Sequence, residues 1–301
     1  MFERIIVVPD LSDDSLALVE RLGALKAYGV KECLLLHCLD ARVANTVTLS
    51  YISSVMEINL KAKKEVLEKH GYTVETRIAP GLARKMVNKI ALEEDYSLIV
   101  VGAHKHSFTS ETPSDGVAYD VIHYARKPVL VVRLEDEYEP DTAGSFSISD
   151  HILCPTDFSE NAEQAFEYLL GMASKGVKKI TLMHVQDQTI SKYLGDRLDE
   201  LNRIDDERLQ NLKQRLQSIS NAEVNTEIKH GNPSVEVLKT VQEIGVQLVI
   251  MGSQGRGFVK ELFLGSVSHN IVRQADASVL LIPARREIAA AVNDGGGLMY
   301  G

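Results

Sequence analysis

Gly252 and Gly255 stand three positions apart after Met251, and nine residues further on comes Gly265-Ser266-Val267-Ser268. Glycine leaves the main chain bare, so these positions suit a backbone that comes close to a ligand or turns in ways closed to other residues. A helix opening at Gly265-Ser266 would present free amide N–H groups and the positive end of its dipole, which favours a phosphate. The hydroxyls of Ser266 and Ser268 add donors, and Arg256 and Lys260 lie on the connecting loop. The chemistry is that of anion binding by main chain and helix terminus. Two familiar phosphate loops are excluded: neither candidate glycine is followed by the lysine of a Walker A motif, and Gly255-Arg256-Gly257 meets Lys260 where the dinucleotide fingerprint needs its third glycine.

Elements must hold these residues, and the chain announces them twice. Asp10 in Pro9-Asp10-Leu11-Ser12 matches Asp157 in Thr156-Asp157-Phe158-Ser159, 147 positions later, and His37 matches His184 at the same offset. From the middle of the copy the offset becomes 150, pairing Gly81 with Gly231, Gly102 with Gly252 and Pro128-Val129-Leu130 with Ser278-Val279-Leu280. Within each copy short apolar runs alternate with segments of helical period. The strands expected are Arg4–Val8, Cys33–Leu36, Thr73–Ile78, Ser97–Val101 and Val129–Val132, then His151–Cys154, Ile180–Met183, Glu223–Ile228, Gln247–Met251 and Val279–Ile282. Ala162, Ala165, Phe166, Leu169, Leu170 and Ala173 mark one helix face, capped by Ser159 or a neighbour. Long charged helices are expected near residues 53–70 and 192–218, with Leu194, Leu198, Leu201, Leu209, Leu212 and Leu216 as the buried stripe of the second. The fold class is α/β: two tandem Rossmann-like open parallel sheets with helices on both faces. The domains expected are 1–140 and 148–284, joined by an acidic linker and followed by a flexible tail at 285–301. In such sheets the ligand site lies outside the carboxyl ends of the strands, where the strand order reverses.

The remaining composition narrows the function. With 45% hydrophobic and 25% charged residues the chain has a globular balance, and its net charge of -9 argues against nucleic acid or an anionic membrane as partner. The three cysteines, Cys33, Cys38 and Cys154, form no CxxC pair and suit a reducing compartment. The opening Met1-Phe2-Glu3-Arg4 leads straight into Ile5–Val8 without a signal-peptide core, so a cytoplasmic location is expected. No catalytic constellation is visible, neither GxSxG nor HExxH. His104-Lys105-His106 reads as a solvated loop, not a metal pair, the charged helix 196–215 as a solvent face, and His37 and His184 as structural. Cys154 reads as a buried, inert thiol, and Asp157 as a helix cap, a ligand carboxylate or both at once.

The spacing Gly-x2-Gly-x9-Gly-Ser after a strand ending in Met, inside a twice-repeated β-α-β-α unit, resembles the nucleotide-binding signature of universal stress proteins. The resemblance implies the adenine nucleotide α-hydrolase-like fold and an ATP, ADP or AMP ligand, with Mg²⁺ as an optional companion. It also implies that Pro155, Thr156, Asp157 and Val185 contact adenine and ribose, that Asp157 takes the ribose hydroxyls, and that Met251 packs near the base. Gly252, Gly255, Gly265, Ser266 and Val267 would then surround ribose and phosphates. The first copy departs from this pattern: Lys105 replaces Gly255, Asp115 replaces Gly265 and Gly116 replaces Ser266, while Gly102 survives. A carboxylate 4 Å from a phosphate costs about 4 kcal/mol at an effective dielectric near 20, although a bound Mg²⁺ reverses that sign. The expectation is a stress-response or regulatory protein with one competent site in its second half and at most slow ATP hydrolysis. The last strands would pair as a homodimer or as a pseudo-dimer within the chain. The alternatives are an ATP-using hydrolase or nucleotidyl transferase, or an interaction protein with relic glycines.

Overall fold

The structure, a computed structural model, describes residues 1–9, 14–39, 46–104, 115–134, 147–187, 198–255 and 264–284. Lys105, His106, Leu194, Arg256, Lys260, the tail 285–301 and most of the expected linker (135–146) lie outside the described residues. In the first half the elements are β1 (Arg4–Val8), α1 (Asp14–Arg21), a 3₁₀ helix (Leu22–Tyr28), β2 (Glu32–Leu39), α2 (Thr46–Lys69) and β3 (Thr73–Pro80). They continue with α3 (Ala83–Glu93), β4 (Leu98–Ala103), α4 (Asp115–His123) and β5 (Val129–Arg133). The second half repeats the order with β6 (His151–Pro155), α5 (Glu160–Ala173), β7 (Lys179–Gln186), α6 (Leu198–Gln217) and β8 (Glu223–His230). It ends with α7 (Pro233–Glu243), β9 (Leu248–Gly252), α8 (Ser266–Gln274) and β10 (Ser278–Ile282).

Each half is a five-stranded parallel sheet, β3-β2-β1-β4-β5 and β8-β7-β6-β9-β10, and the two join into one ten-stranded sheet. Among the described residues the join is the only antiparallel pairing: Val279 lies opposite Val131, Leu280 opposite Leu130 and Leu281 opposite Val129. Leu130 and Leu280 are equivalent under the 150-residue offset, so a pseudo-twofold axis passes between them. Of the two pairings of last strands that the resemblance implies, this is the one within the chain, and it turns two expected sheets into one.

Two apolar layers cover the sheet. On one face Leu18, Leu60, Leu67, Phe166, Leu209 and Leu216 pack α1, α2, α5 and α6 against the strands. On the other, Val87, Ile90, Val121, Val237, Val241 and Ile271 bring in α3, α4, α7 and α8. The strands β4 and β9 are apolar throughout because both of their faces are covered. Ile148, within the stretch read as linker, is 1% exposed and belongs to the first layer. Burial also sharpens the register between the halves: Met56, Leu60, Lys63 and Leu67 on α2 take the buried positions of Asp205, Leu209, Leu212 and Leu216 on α6, an offset of 149.

Candidate functional site

Reversal of strand order between β6 and β9 leaves their carboxyl ends facing a gap, and a cavity of about 280 Å³ opens there. Pro155, Thr156, Asp157, Val185, Met251, Gly252, Gly255, Gly265, Ser266, Val267 and Ser268 all line it; of the residues expected at the site only Arg256 falls outside the described residues. Ala162, Met183, Pro233, Val237 and Gln254 complete the lining and were not expected. Their signal in the sequence is that of ordinary core or helix positions. Together they give one apolar wall (Ala162, Met183, Val185, Pro233, Val237, Met251) and one polar rim with a single described carboxylate, Asp157.

The rim begins where β6 ends. Thr156 extends the ladder by donating its N–H to Met183 O at 2.8 Å, and the chain then turns sharply. Phe158 holds a left-handed backbone, φ 59°, which is a strained conformation for a bulky residue. Side chains on either side support it: Thr156 Oγ1 accepts from Phe158 N at 3.0 Å, and Asp157 Oδ1 accepts from Ser159 N at 3.0 Å. Ser159 is the cap of α5, accepting from Ala162 N at 3.2 Å. Asp157 is therefore not that helix's cap; it shapes the turn before it. Beneath the turn, His184 Nδ1 donates to Thr156 O at 2.7 Å, and its ring packs 4.7 Å from that of Phe158.

The glycines are bare for a reason the sequence did not reveal. None of Gly252, Gly255 and Gly265 has a left-handed φ, so turn geometry does not require them. A Cβ on Gly255 would meet Asp157 Oδ2 at 2.6 Å, and one on Gly252 would meet Asn161 Oδ1 at 2.7 Å and Asn161 O at 3.0 Å. Side chains of this chain fill those spaces. Asn161, which sequence reasoning missed, is buried and ties two strand ends together, donating from Nδ2 to Ile282 O at 3.0 Å and accepting Gln254 N at 2.9 Å. Gly265 differs: a Cβ there finds only contacts of 3.4 Å and longer.

Gly265 is the N-cap of α8, with no side-chain cap bond, whereas α7 is capped by Asn232, which accepts from Ser234 N and Val235 N. Ser266 and Val267, in the first turn of α8 where backbone amides have no intrahelical partner, line the cavity. Ser268 behaves otherwise: its hydroxyl lies 2.7 Å from Ser253 O and 2.9 Å from Gly265 O, so its proton anchors the β9–α8 loop and is not directed to a ligand. Cys154, behind the site on β6, is buried, and burial pushes its thiol up to about 12, as an inert core cysteine requires.

Among the described residues, the equivalent place in the first half is much smaller. Val8, Ser15, Leu18, Val101, Gly102, Val117, Ala118 and Leu134 enclose about 20 Å³. Leu18 stands where the second half has Ala165, and Leu134 where it has Ala284; a Cβ on Gly102 would meet Leu134 Cδ1 at 2.9 Å. The sequence pointed to Lys105, outside the described residues, and to Asp115, which opens α4. The described obstruction is aliphatic.

The sequence pattern of the universal stress protein family matches residues 1–133 and again 149–283. The chain belongs to the universal stress protein family. A universal stress protein of Methanocaldococcus jannaschii is 30% identical over 151 residues, covering 44% of this chain and 93% of its own length. A universal stress protein from Archaeoglobus fulgidus shares the fold almost end to end, with a TM-score of 0.70 at 24% identity over 93% of this chain and 95% of its own. A further universal stress protein, solved in complex with cAMP, covers 44% of this chain and 96% of its own at 17% identity, with a TM-score of 0.35. Among the described residues, no helix is long and apolar enough to cross a membrane.

Proposed function

We propose that the cleft between β6 and β9 binds an adenine nucleotide, ATP, ADP or AMP, and that the protein is a nucleotide-responsive stress or regulatory protein with one such site per chain, in the domain 148–284. One observation carries this reading: a single cavity of about 280 Å³ puts an apolar wall, a carboxylate and an uncapped helix N-terminus side by side. The wall of Met183, Val185, Pro233, Val237 and Met251 suits a purine, Asp157 Oδ2 suits ribose hydroxyls, and the amides of Ser266 and Val267 suit phosphate. The bare Cα of Gly255 leaves room for Asp157 Oδ2, which sits 2.6 Å from where a Cβ would stand. Arg256, the next residue in the sequence after Gly255, supplies a cation, and Mg²⁺ would arrive as the triphosphate's companion, held through phosphate oxygens. The first half, domain 1–140, serves as the structural partner, because Leu18 and Leu134 occupy the corresponding space.

Gly265→Asp tests the placement. The backbone at Gly265, φ -72° and ψ 161°, suits any N-cap residue, and a Cβ fits. The new carboxylate would accept first-turn amides of α8 and stabilise the fold by roughly a few tenths of a kcal/mol, while placing negative charge where phosphate binds. Thermal stability is expected to hold or rise while ATP affinity falls at least about tenfold by calorimetry. Unchanged affinity would remove the phosphate from this helix. Mass spectrometry of small molecules released from the denatured protein identifies which nucleotide it carries.

A further inference from the structure

The polar residues directly behind the cleft form a group with no part in the core's apolar packing. Asp205 on α6 is 2% exposed. Its Oδ2 accepts from Gln186 Nε2 at 2.9 Å and lies 3.5 Å from His184 Nε2, and its Oδ1 lies 3.5 Å from Arg208 Nη1. Arg208 also sits over the Phe158 ring, 5.2 Å from its centroid. A carbonyl oxygen carries no proton, so the 2.7 Å contact between His184 Nδ1 and Thr156 O requires hydrogen on Nδ1. The Asp205 carboxylate lies 3.5 Å from Nε2 on the far side of the ring, where it draws an imidazole that carries hydrogen on both nitrogens. A continuous path thus runs from Asp205 through His184 to the Thr156 carbonyl, and from Arg208 through Phe158, to both sides of Asp157.

The same fold forms in the first half without this group. His37 keeps the place of His184, but Met56 occupies the buried position of Asp205, Leu39 that of Gln186 and Asn59 that of Arg208. Packing alone is therefore satisfied by a methionine at that register. The carboxylate is present only in the half whose cleft is open. We infer that Asp205, acting through His184, is a positioning residue that fixes the Thr156–Phe158 turn and so aims the Asp157 carboxylate into the cleft. The ligand side of this inference rests on the nucleotide reading above; the turn-holding side does not.

Asp205→Met, which copies Met56, and the isosteric Asp205→Asn test it in the full chain. Amide hydrogen exchange is followed at Phe158 and Ser159, whose N–H groups are bound to Thr156 Oγ1 and Asp157 Oδ1, with Val249 in β9 as reference. In Asp205→Met both turn amides are expected to exchange at least about tenfold faster while Val249 is unchanged. ATP affinity is expected to fall about tenfold, and that for 2′,3′-dideoxy-ATP, which lacks the ribose hydroxyls, to stay constant. Unchanged turn amides overturn the inference. So does an equal acceleration at Val249, which would make Asp205 a general stabiliser. If Asp205→Met does not fold, Asp205→Asn is read on the same amides by the same criteria. A wild-type chain that ignores ATP while its turn responds would discard the nucleotide reading and leave the positioning role standing.

Discussion

Gly255 and Asp157 share one small volume. A methyl group on Gly255 would press on Asp157 Oδ2 from 2.6 Å, while the backbone there needs no glycine dihedral. Gly255→Ala is expected to swing the carboxylate away from Ser159 N and to lower ATP affinity about tenfold, with a melting temperature within a few degrees of wild type. Calorimetry and a thermal melt on one preparation check both; full affinity with a displaced Asp157 would mean that the carboxylate does not touch the ligand. The sequence pointed to this residue, since a Gly-x2-Gly spacing is visible in one dimension, but not to its reason. Asn161 was invisible: its partners, Ile282 O and Gln254 N, are 121 and 93 positions away, and in its own segment it reads as a helix surface residue. Phe158 was equally hidden, because a left-handed phenylalanine is imposed by neighbours and not by propensity.

Strands show the same division between what local pattern carries and what pairing adds. β1 spans Arg4–Val8 as the apolar run indicates, whereas β2 extends from the expected Cys33–Leu36 to Glu32–Leu39. The extension is made by the ladder to β3, which continues through His37–Ile78, Cys38–Ala79 and Leu39–Pro80, beyond the apolar stretch. At the other end of β6, His151 joins three elements: Nδ1 lies 3.2 Å from Ile244 O after α7, and Nε2 lies 2.9 Å from Thr181 Oγ1 on β7. Its burial disfavours the charged ring and holds the imidazole below the ordinary histidine value. The unfolded chain takes up that proton near pH 6.5 and the folded chain resists it, so stability is present above about pH 6.5 and declines as pH falls below it. His151→Gln is expected to flatten the slope of unfolding free energy between pH 7 and pH 5.5, measured by denaturant titration at each pH. An identical slope in the variant would assign the loss to another group.

At the scale of the whole molecule, the seam between β5 and β10 decides the architecture. Its register is symmetric about Leu130 and Leu280, so the edge of β10 is complementary to itself. A fragment comprising residues 147–284 would leave that edge of β10 without its partner strand. It is expected to run as a dimer at micromolar concentration in size-exclusion chromatography with light scattering, Leu280 facing Leu280; a monomer would show that the pairing depends on contacts outside the strand. The ten-stranded sheet itself was only half legible, since the repeat announces two units and the choice of edge is made by tertiary contact. The seam has a further consequence, which concerns inheritance. In an assembly of identical subunits each substitution is made twice, so a change that fills one cleft fills its twin. With the symmetry axis inside one polypeptide, Leu134 and Ala284, or Met56 and Asp205, are separate letters of one text and can diverge. Fusion gives the protein two halves that fold as a pair and evolve as individuals.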